Sequence, residues 1–207
     1  MFVRERKLAN SKAASKEKNK PVHVIEDYSA RAFKELSEKY NYDNVMQVPD
    51  IVKIVLHRGL GEAIVNTKCI DISIDQLAEI SAQKPVLTIA KKSISNFKLR
   101  EGQINGVKVT LRGKKAKVFL IKLIHLALPK IRDFRGVSLR AFDGSGNYNL
   151  GLTDTSVFPE ANREADRERG LDITIVTSAK TNDEALDLLK CYGMPFRVGV
   201  KRKLAGE

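Results

Sequence analysis

Apolar residues recur every three or four positions between Val24 and Tyr40, with Ile25, Tyr28, Ala32, Leu36 and Tyr40 on one side of a predicted helix. Pro49 interrupts the pattern, and "IVKIVLHRGLG" from Ile51 predicts a strand that ends in glycines. "CIDISIDQLAEISAQ" predicts an amphipathic helix that stops before Pro85. Short strands are expected next, at "VLTIA" (86–90), at "NFKLRE" around Phe97, and at "GVKVTLRG" (106–113). In the last of these, Val107, Val109 and Leu111 alternate with Lys108, Thr110 and Arg112. One face is apolar and the other basic and hydroxylated, as in a half-buried strand whose outer face meets a ligand.

"KKAKVFLIKLIHLAL" after Gly113 is apolar around most of its circumference, which predicts a buried helix closed by Pro129. Strand signals return within 133–151 and again in "LDITIVTSA" (171–179). A last helix starts at "TNDE", where Thr181 and Glu184 have capping-box spacing, and Gly193 with Pro195 ends it. Strands and helices interleave without a strict βαβ period, so the fold class read from the pattern is α+β. Residues 1–22 are rich in Lys, Ala and Ser and lack periodicity, as in a flexible basic tail. A single α+β domain is expected over 23–198, followed by a short basic extension at 199–207.

Charge adds what periodicity lacks. The 207 residues carry a formal net charge of +12, and residues 84–140 alone hold 15 Lys or Arg against two acids, Glu101 and Asp133. Positive charge segregated in this way is the footprint of a partner with a phosphate backbone. No apolar run reaches the ~18–20 residues of a membrane span. The longest candidate, "VFLIKLIHLALP", is broken by Lys122 and His125, so no membrane partner is expected.

Catalytic chemistry is hard to place. Cys69 and Cys191 lie far apart with no second ligand at metal spacing. His125 reads as a core or helix-edge residue. No HExxH, CxxC, GxSxG or P-loop spacing occurs among the residues. Neither glycine loop, at 59–61 or at 144–151, completes G-x-G-x-x-G; in the second, Asn149 stands in the third position. Asp143, Asp154 and Glu160 read as turn or surface carboxylates. No enzyme, metal, cofactor or small-molecule substrate is expected.

The segment "DFRGVSLRAFDGSGNYNLG" (133–151), with Arg132 just before it, suits a backbone that meets phosphates closely. Glycines let N–H groups approach an anion, and Arg132, Arg135 and Arg140 offer forked donors. Phe97, Phe134, Phe142 and Tyr148 are candidates for stacking on unpaired bases, with Phe134 and Phe142 also suited to the core.

Several long blocks carry a family resemblance: "QKPVLTIAKKSISNFKLREGQINGVKVTLRG", "LPKIRDFRGVSLRAFDGSGNYNLG", "FPE" and "RGLDITIVTSAKTNDEA…GMPFR". They resemble the 5S-rRNA-binding family of the large ribosomal subunit, family number five in the large-subunit naming, in its bacterial type. The likeness runs from about Tyr42 to Arg197. It implies an open, mostly antiparallel β-sheet with helices packed on one face, and a role in building the central protuberance. Family contacts to 5S rRNA would fall on His57, Gln83, Phe97 and Thr110. Arg58, Arg112, Arg132 and Arg135 join them as basic candidates.

The loop "AKKSISNFK" (90–98), with Lys91, Lys92, Ser93, Asn96 and Lys98, matches the family segment that reaches toward P-site tRNA. "FPEANREADRERG" (158–170), with Glu160, Arg163, Asp166 and Arg167, matches the part that meets a small-subunit head protein at an intersubunit bridge. Its mixed signs suit a protein partner. The implied partners are therefore 5S rRNA, large-subunit rRNA, P-site tRNA and that head protein. The implied location is the cytoplasmic ribosome, since Glu5, Glu17 and the preference for lysine over arginine do not fit an organellar targeting segment.

Two departures stand out. The family usually reads Asn-Met where this chain has His57-Arg58, which puts a phosphate contact assisted by Arg58 in place of an amide contact. Ala82 replaces a common glycine before Gln83. The rival expectation is a non-specific basic nucleic-acid chaperone that binds through charge alone.

Overall fold

The structure, a computed structural model, describes residues 24–64, 66–161 and 169–197. The tail at 1–22 and the extension at 199–207 lie outside the described residues. Helix α1 spans Val24–Tyr40, as its periodicity predicts. Its Ala32 and Leu36 are buried, and Tyr28 and Tyr40 pack beside them against the core. Strand β1 (Ile51–Gly59) follows Pro49. Helix α2 (Lys68–Ser81) buries Cys69, Ile70, Leu77 and Ile80 along one side. It ends at Ala82, whose φ of 50° is left-handed. That is the conformation which glycine adopts most readily at a helix C-terminus.

Strands β2 (Val86–Ile89) and β3 (Ile104–Arg112) come next, then helix α3 (Gly113–Lys122). The helical run does not stay α-helical to Pro129. Over Leu123–Ala127 it widens to a π turn in which the Leu128 N–H donates to Leu123 O, and Leu128–Lys130 closes as a 3₁₀ turn. Pro129 supplies no N–H and crowds the carbonyl four residues back, so the widening relieves the approach to it. Strands β4 (Tyr148–Leu152) and β5 (Leu171–Thr177) and helix α4 (Asn182–Cys191) complete the set. The Thr181 side chain accepts the Glu184 N–H, and Glu184 reaches back to the Lys180 N–H at 3.1 Å, one residue short of the expected capping box.

All five strands join in one antiparallel sheet of order β2-β3-β1-β5-β4. Ile54 pairs with Leu111 and Ile175, and Leu56 with Val109 and Ile173. These six side chains are buried and face the helices, with α2 and α3 packed on β3. The other face of the sheet has no helix over it among the described residues. This is the α+β architecture expected, with helices on one side of an open sheet.

The strand expected around Phe97 is absent. Ser95–Phe97 is a 3₁₀ turn, Lys98 adopts a φ of 52°, and Ile94 and Leu99 exchange both backbone hydrogen bonds. The segment has no alternating face to bury, so it closes as a tight hairpin instead of extending the sheet.

Candidate nucleic-acid interface

Period two in the strands builds the open face, and the register aligns it into rows across the sheet. Thr110, Val55, Thr174 and Asn149 are successive partners across β3, β1, β5 and β4. Val86, Lys108, His57, Asp172 and Gly151 form the next row, from β2 to β4. Arg112 and Lys53 pair at one end of the sheet, and Thr88, Gly106 and Gly59 at the other. Cations gather on the β1–β3 half, while the β5–β4 half carries hydroxyl, amide and carboxylate groups.

Several of these groups are pre-positioned. The Gln83 amide donates to Thr110 O at 3.2 Å, which fixes it beside the strand and leaves its own oxygen free. Thr174 donates to Asn149 Oδ1 at 2.8 Å. His57 Nδ1 lies 3.7 Å from Asp172 Oδ2, with both side chains substantially exposed. A Cβ on Gly106 would sit 3.2 Å from His57 Nε2 and 3.0 Å from Thr88 Oγ1, so the absence of a side chain there lets the two approach each other.

His57, Gln83, Thr110 and Arg112 thus come together on or beside one face. Arg58 does not. It follows His57 in an extended strand, so its side chain points to the opposite side, where it is only 1% exposed. There Nη1 donates to Gln76 Oε1 at 2.7 Å, while Nε and Nη2 have no partner among the described residues. Burial, and then the neighbouring Arg169 charge, pull its pKa down to about 10. Arg58 is a core residue in this fold, and the expected phosphate contact is corrected on that ground.

Phe97 is 71% exposed at the tip of the loop between β2 and β3, and Lys91, Lys92, Ser93, Asn96 and Lys98 are exposed around it. The loop base is tied by Ala90 N to Gln103 O, Gly102 N to Ala90 O, and Glu101 N to Ser93 Oγ. Among the four aromatic candidates only Phe97 stands free. Tyr148 is fully buried, donates to Ser138 O at 2.8 Å, and meets Phe142 and Phe196 edge-on. Phe134 packs against the core.

The glycine-rich segment is itself a built turn. Asp143 accepts from the Ser145 and Asn147 N–H groups, Gly146 N donates to Asn182 Oδ1, and Thr177 donates to Gly146 O. Its role is to anchor β4 to the end of β5.

Arg132 and Arg135 are exposed near this segment, and Arg132 lines a cleft beside β4 rather than the open face. Glu160 pairs with Lys122 at 2.8 Å on the helical side. Arg163, Asp166 and Arg167 lie outside the described residues. Sequence reasoning passed over Lys53, Asp172, Thr174 and Asn149, although alternation in "IVKIVLH" and "LDITIVT" already points the first three outward. Among the described residues no group of His, Cys, Asp and Glu is arranged to hold a metal ion.

Known proteins match along most of the chain. Residues 44–100 match the family described as ribosomal protein L5, and residues 104–196 match the model for the C-terminus of that ribosomal family. The large ribosomal subunit protein uL5 of Syntrophomonas wolfei is 53% identical over 175 residues, which is 84% of this chain and 98% of that relative. Its counterpart from Lactobacillus johnsonii is 52% identical over 174 residues, 84% of this chain and 97% of the relative. That of Heliobacterium modesticaldum is 54% identical over 163 residues, 78% and 91% of the two chains.

Proposed function

The chain belongs to the ribosomal protein L5 family of the large subunit, structural ribosomal proteins rather than enzymes, and from that premise we propose that it seats 5S rRNA on the open face of its sheet. The observation that carries the reading is the aligned face itself. Lys108, Arg112 and Lys53 neutralise phosphates on the β1–β3 half, and Thr110, Thr174 and Asn149 present directional donors and acceptors in the row between them, with Gln83 held beside Thr110. A flat polar face of this kind suits the wide minor groove of an RNA helix, with its 2′-hydroxyls.

Within the central protuberance, the tied loop at 90–103 then extends Phe97 and its lysines toward the P-site tRNA. The segment 158–170, through Glu160, Arg163, Asp166 and Arg167, contributes to a bridge with a small-subunit head protein. Large-subunit rRNA completes the set of partners, in a cytoplasmic ribosome. The rival is a chaperone that binds any RNA by charge.

A salt titration of 5S rRNA binding, with excess unrelated duplex RNA as competitor, separates the two readings. The expected result is a preference for 5S rRNA that persists as the salt-dependent part of the affinity falls away. Thr110→Ala and Gln83→Ala should each weaken 5S binding by about tenfold, the scale of one lost directional contact, while duplex binding stays level. Equal competition at every salt concentration would leave only the chaperone.

Lys91→Ala combined with Lys92→Ala should keep 5S affinity within about threefold, because neither side chain belongs to the open face. The same protein, assembled into ribosomes, should show weakened P-site tRNA binding. A 5S loss as large as that of Thr110→Ala would overturn this division of labour.

A further inference from the structure

The outer edge of the sheet holds a second site. Strand β4 ends the sheet order and pairs only with β5 from Asn149 onward, so the outer side of its backbone has no strand neighbour among the described residues. Beside it lies a cleft of about 420 Å³, lined by Gly151–Thr153 on one wall and by Lys130, Arg132, Asp154 and Val157 on the others. That volume falls within the range of small-molecule pockets, roughly 300–1,000 Å³.

The lining is chemically mixed in a particular way. Lys130 and Arg132 are exposed cations with no neutralising partner among the described residues. Ile131, Leu152 and Val157 supply apolar surface. Asp154 is held in place by Ser156, whose N–H donates to Oδ1 at 2.7 Å and whose hydroxyl meets Oδ2. Each carboxylate oxygen keeps a lone pair for a further donor. A bare phosphate or an acidic peptide suits the two cations but is repelled by Asp154. A nucleotide satisfies all three features, with its phosphate on the cations, its base on the apolar wall, and donors on its base edge at the carboxylate.

We infer that this cleft holds one unpaired nucleotide of rRNA, splayed out of its stack, with Asp154 reading the base edge. Guanine fits best, because its N1–H and N2–H are adjacent donors that a carboxylate accepts in pairs. Recognition of bases in single-stranded loops and bulges is the usual route to sequence specificity in RNA. The inference rests on the rRNA-binding reading and adds to it a site away from the open face.

The test uses the full chain, isotope-labelled, titrated with guanosine, inosine and uridine monophosphates and with inorganic phosphate. Amide signals of Gly151–Thr153 and Ser156 should move with guanosine monophosphate at least threefold more tightly than with inosine monophosphate, which lacks the amino group, and move least with phosphate. Asp154→Asn keeps the turn acceptor and should level the guanosine and inosine responses.

Three results would overturn the site. These are silence of those amides up to about 10 mM, the regime of the weakest specific binding; a phosphate response equal to the nucleotides; or an unchanged preference in Asp154→Asn. Binding of 5S rRNA, measured on the same samples, tells the two ideas apart. If it persists while the cleft is silent, the cleft alone fails; if it is lost as well, the rRNA reading fails.

Discussion

Arg58→Met should raise the stability of the protein by about 2 kcal/mol, which for a chain of this size is a rise of roughly 4–8 °C in Tm. The guanidinium is 1% exposed and, among the described residues, has one hydrogen bond, to Gln76, with Nε and Nη2 buried and without partners. An unsatisfied buried donor costs about 1–3 kcal/mol, and a second cation, Arg169, adds repulsion instead of relief.

A pKa brought down by burial to about 10, well below the ordinary arginine value, corresponds to roughly 3 kcal/mol of preference for charging the unfolded chain. The folded chain holds this proton less tightly, so the penalty is complete below pH 10 and relaxes as the pH rises from there toward the ordinary arginine pKa. Methionine has a similar length, bends into irregular space and carries no charge, while the Gln76 amide left without its donor returns about 1 kcal/mol of the gain.

Urea unfolding near neutral pH measures the change. The same variant should bind 5S rRNA as tightly as the parent, since the side chain lies on the far side of the sheet from the proposed RNA. His57→Ala, on the near side, should not. A Tm that stays level or falls, or an RNA affinity that drops with Arg58→Met, would mean that the guanidinium has a partner or a task absent from this arrangement.

The orientation of Arg58 shows what the sequence could and could not convey. Alternation in "IVKIVLHRG" places Ile54, Leu56 and residue 58 on one side, so the periodicity itself predicted burial. The charge of arginine argued outward, and the strand pattern prevailed because a strand cannot turn one residue over without losing its register. The helices at 24–40 and 68–81 and the alternation in β3 were equally legible, since each buries a continuous apolar face. Tyr148 was misjudged as a stacking residue for the reason that misled at Arg58: its type was weighed above its place in the alternation with Leu150 and Leu152.

Other features had no local signal. The hairpin at 94–99 buries no face, so neither helical nor strand periodicity marks it. The cleft beside β4 joins residues 130–132 to residues 151–157, which only the tertiary fold brings together. The rows of the open face likewise depend on the order β2-β3-β1-β5-β4, which no pattern within a single strand encodes.

Gly106→Ala should damage both the sheet and its recognition face, whereas Gly59→Ala, its direct partner across β1 and β3, should do neither. A Cβ at 106 would stand 2.7 Å from Arg58 O, a backbone atom that cannot rotate aside, and within 3.2 Å of Thr88 Oγ1 and His57 Nε2. Strands β1 and β3 must part locally to admit it, which strains the neighbouring bond from Leu60 N to Asn105 O. Forcing one methyl into such a site costs about 1–3 kcal/mol. A Cβ at 59 meets nothing within 4 Å, and a glycine to alanine change in open space is neutral or slightly stabilising.

The effect on binding follows from what moves. His57 and Thr88 shift with the strands, while Lys108, Arg112 and Lys53 keep their charge. The 5S preference of Gly106→Ala should therefore fall by about tenfold at moderate salt, with binding to competitor duplex nearly unchanged. Thermal unfolding and the competition assay, run on the pair of variants, check both halves of the argument. If Gly59→Ala proved as harmful as Gly106→Ala, the close contact at Arg58 O would not be what sets the spacing of this face. If Gly106→Ala lost stability but kept its preference for 5S rRNA, the His57 and Thr88 end of the sheet would lie outside the RNA footprint, and recognition would rest on the Thr110 and Gln83 end alone.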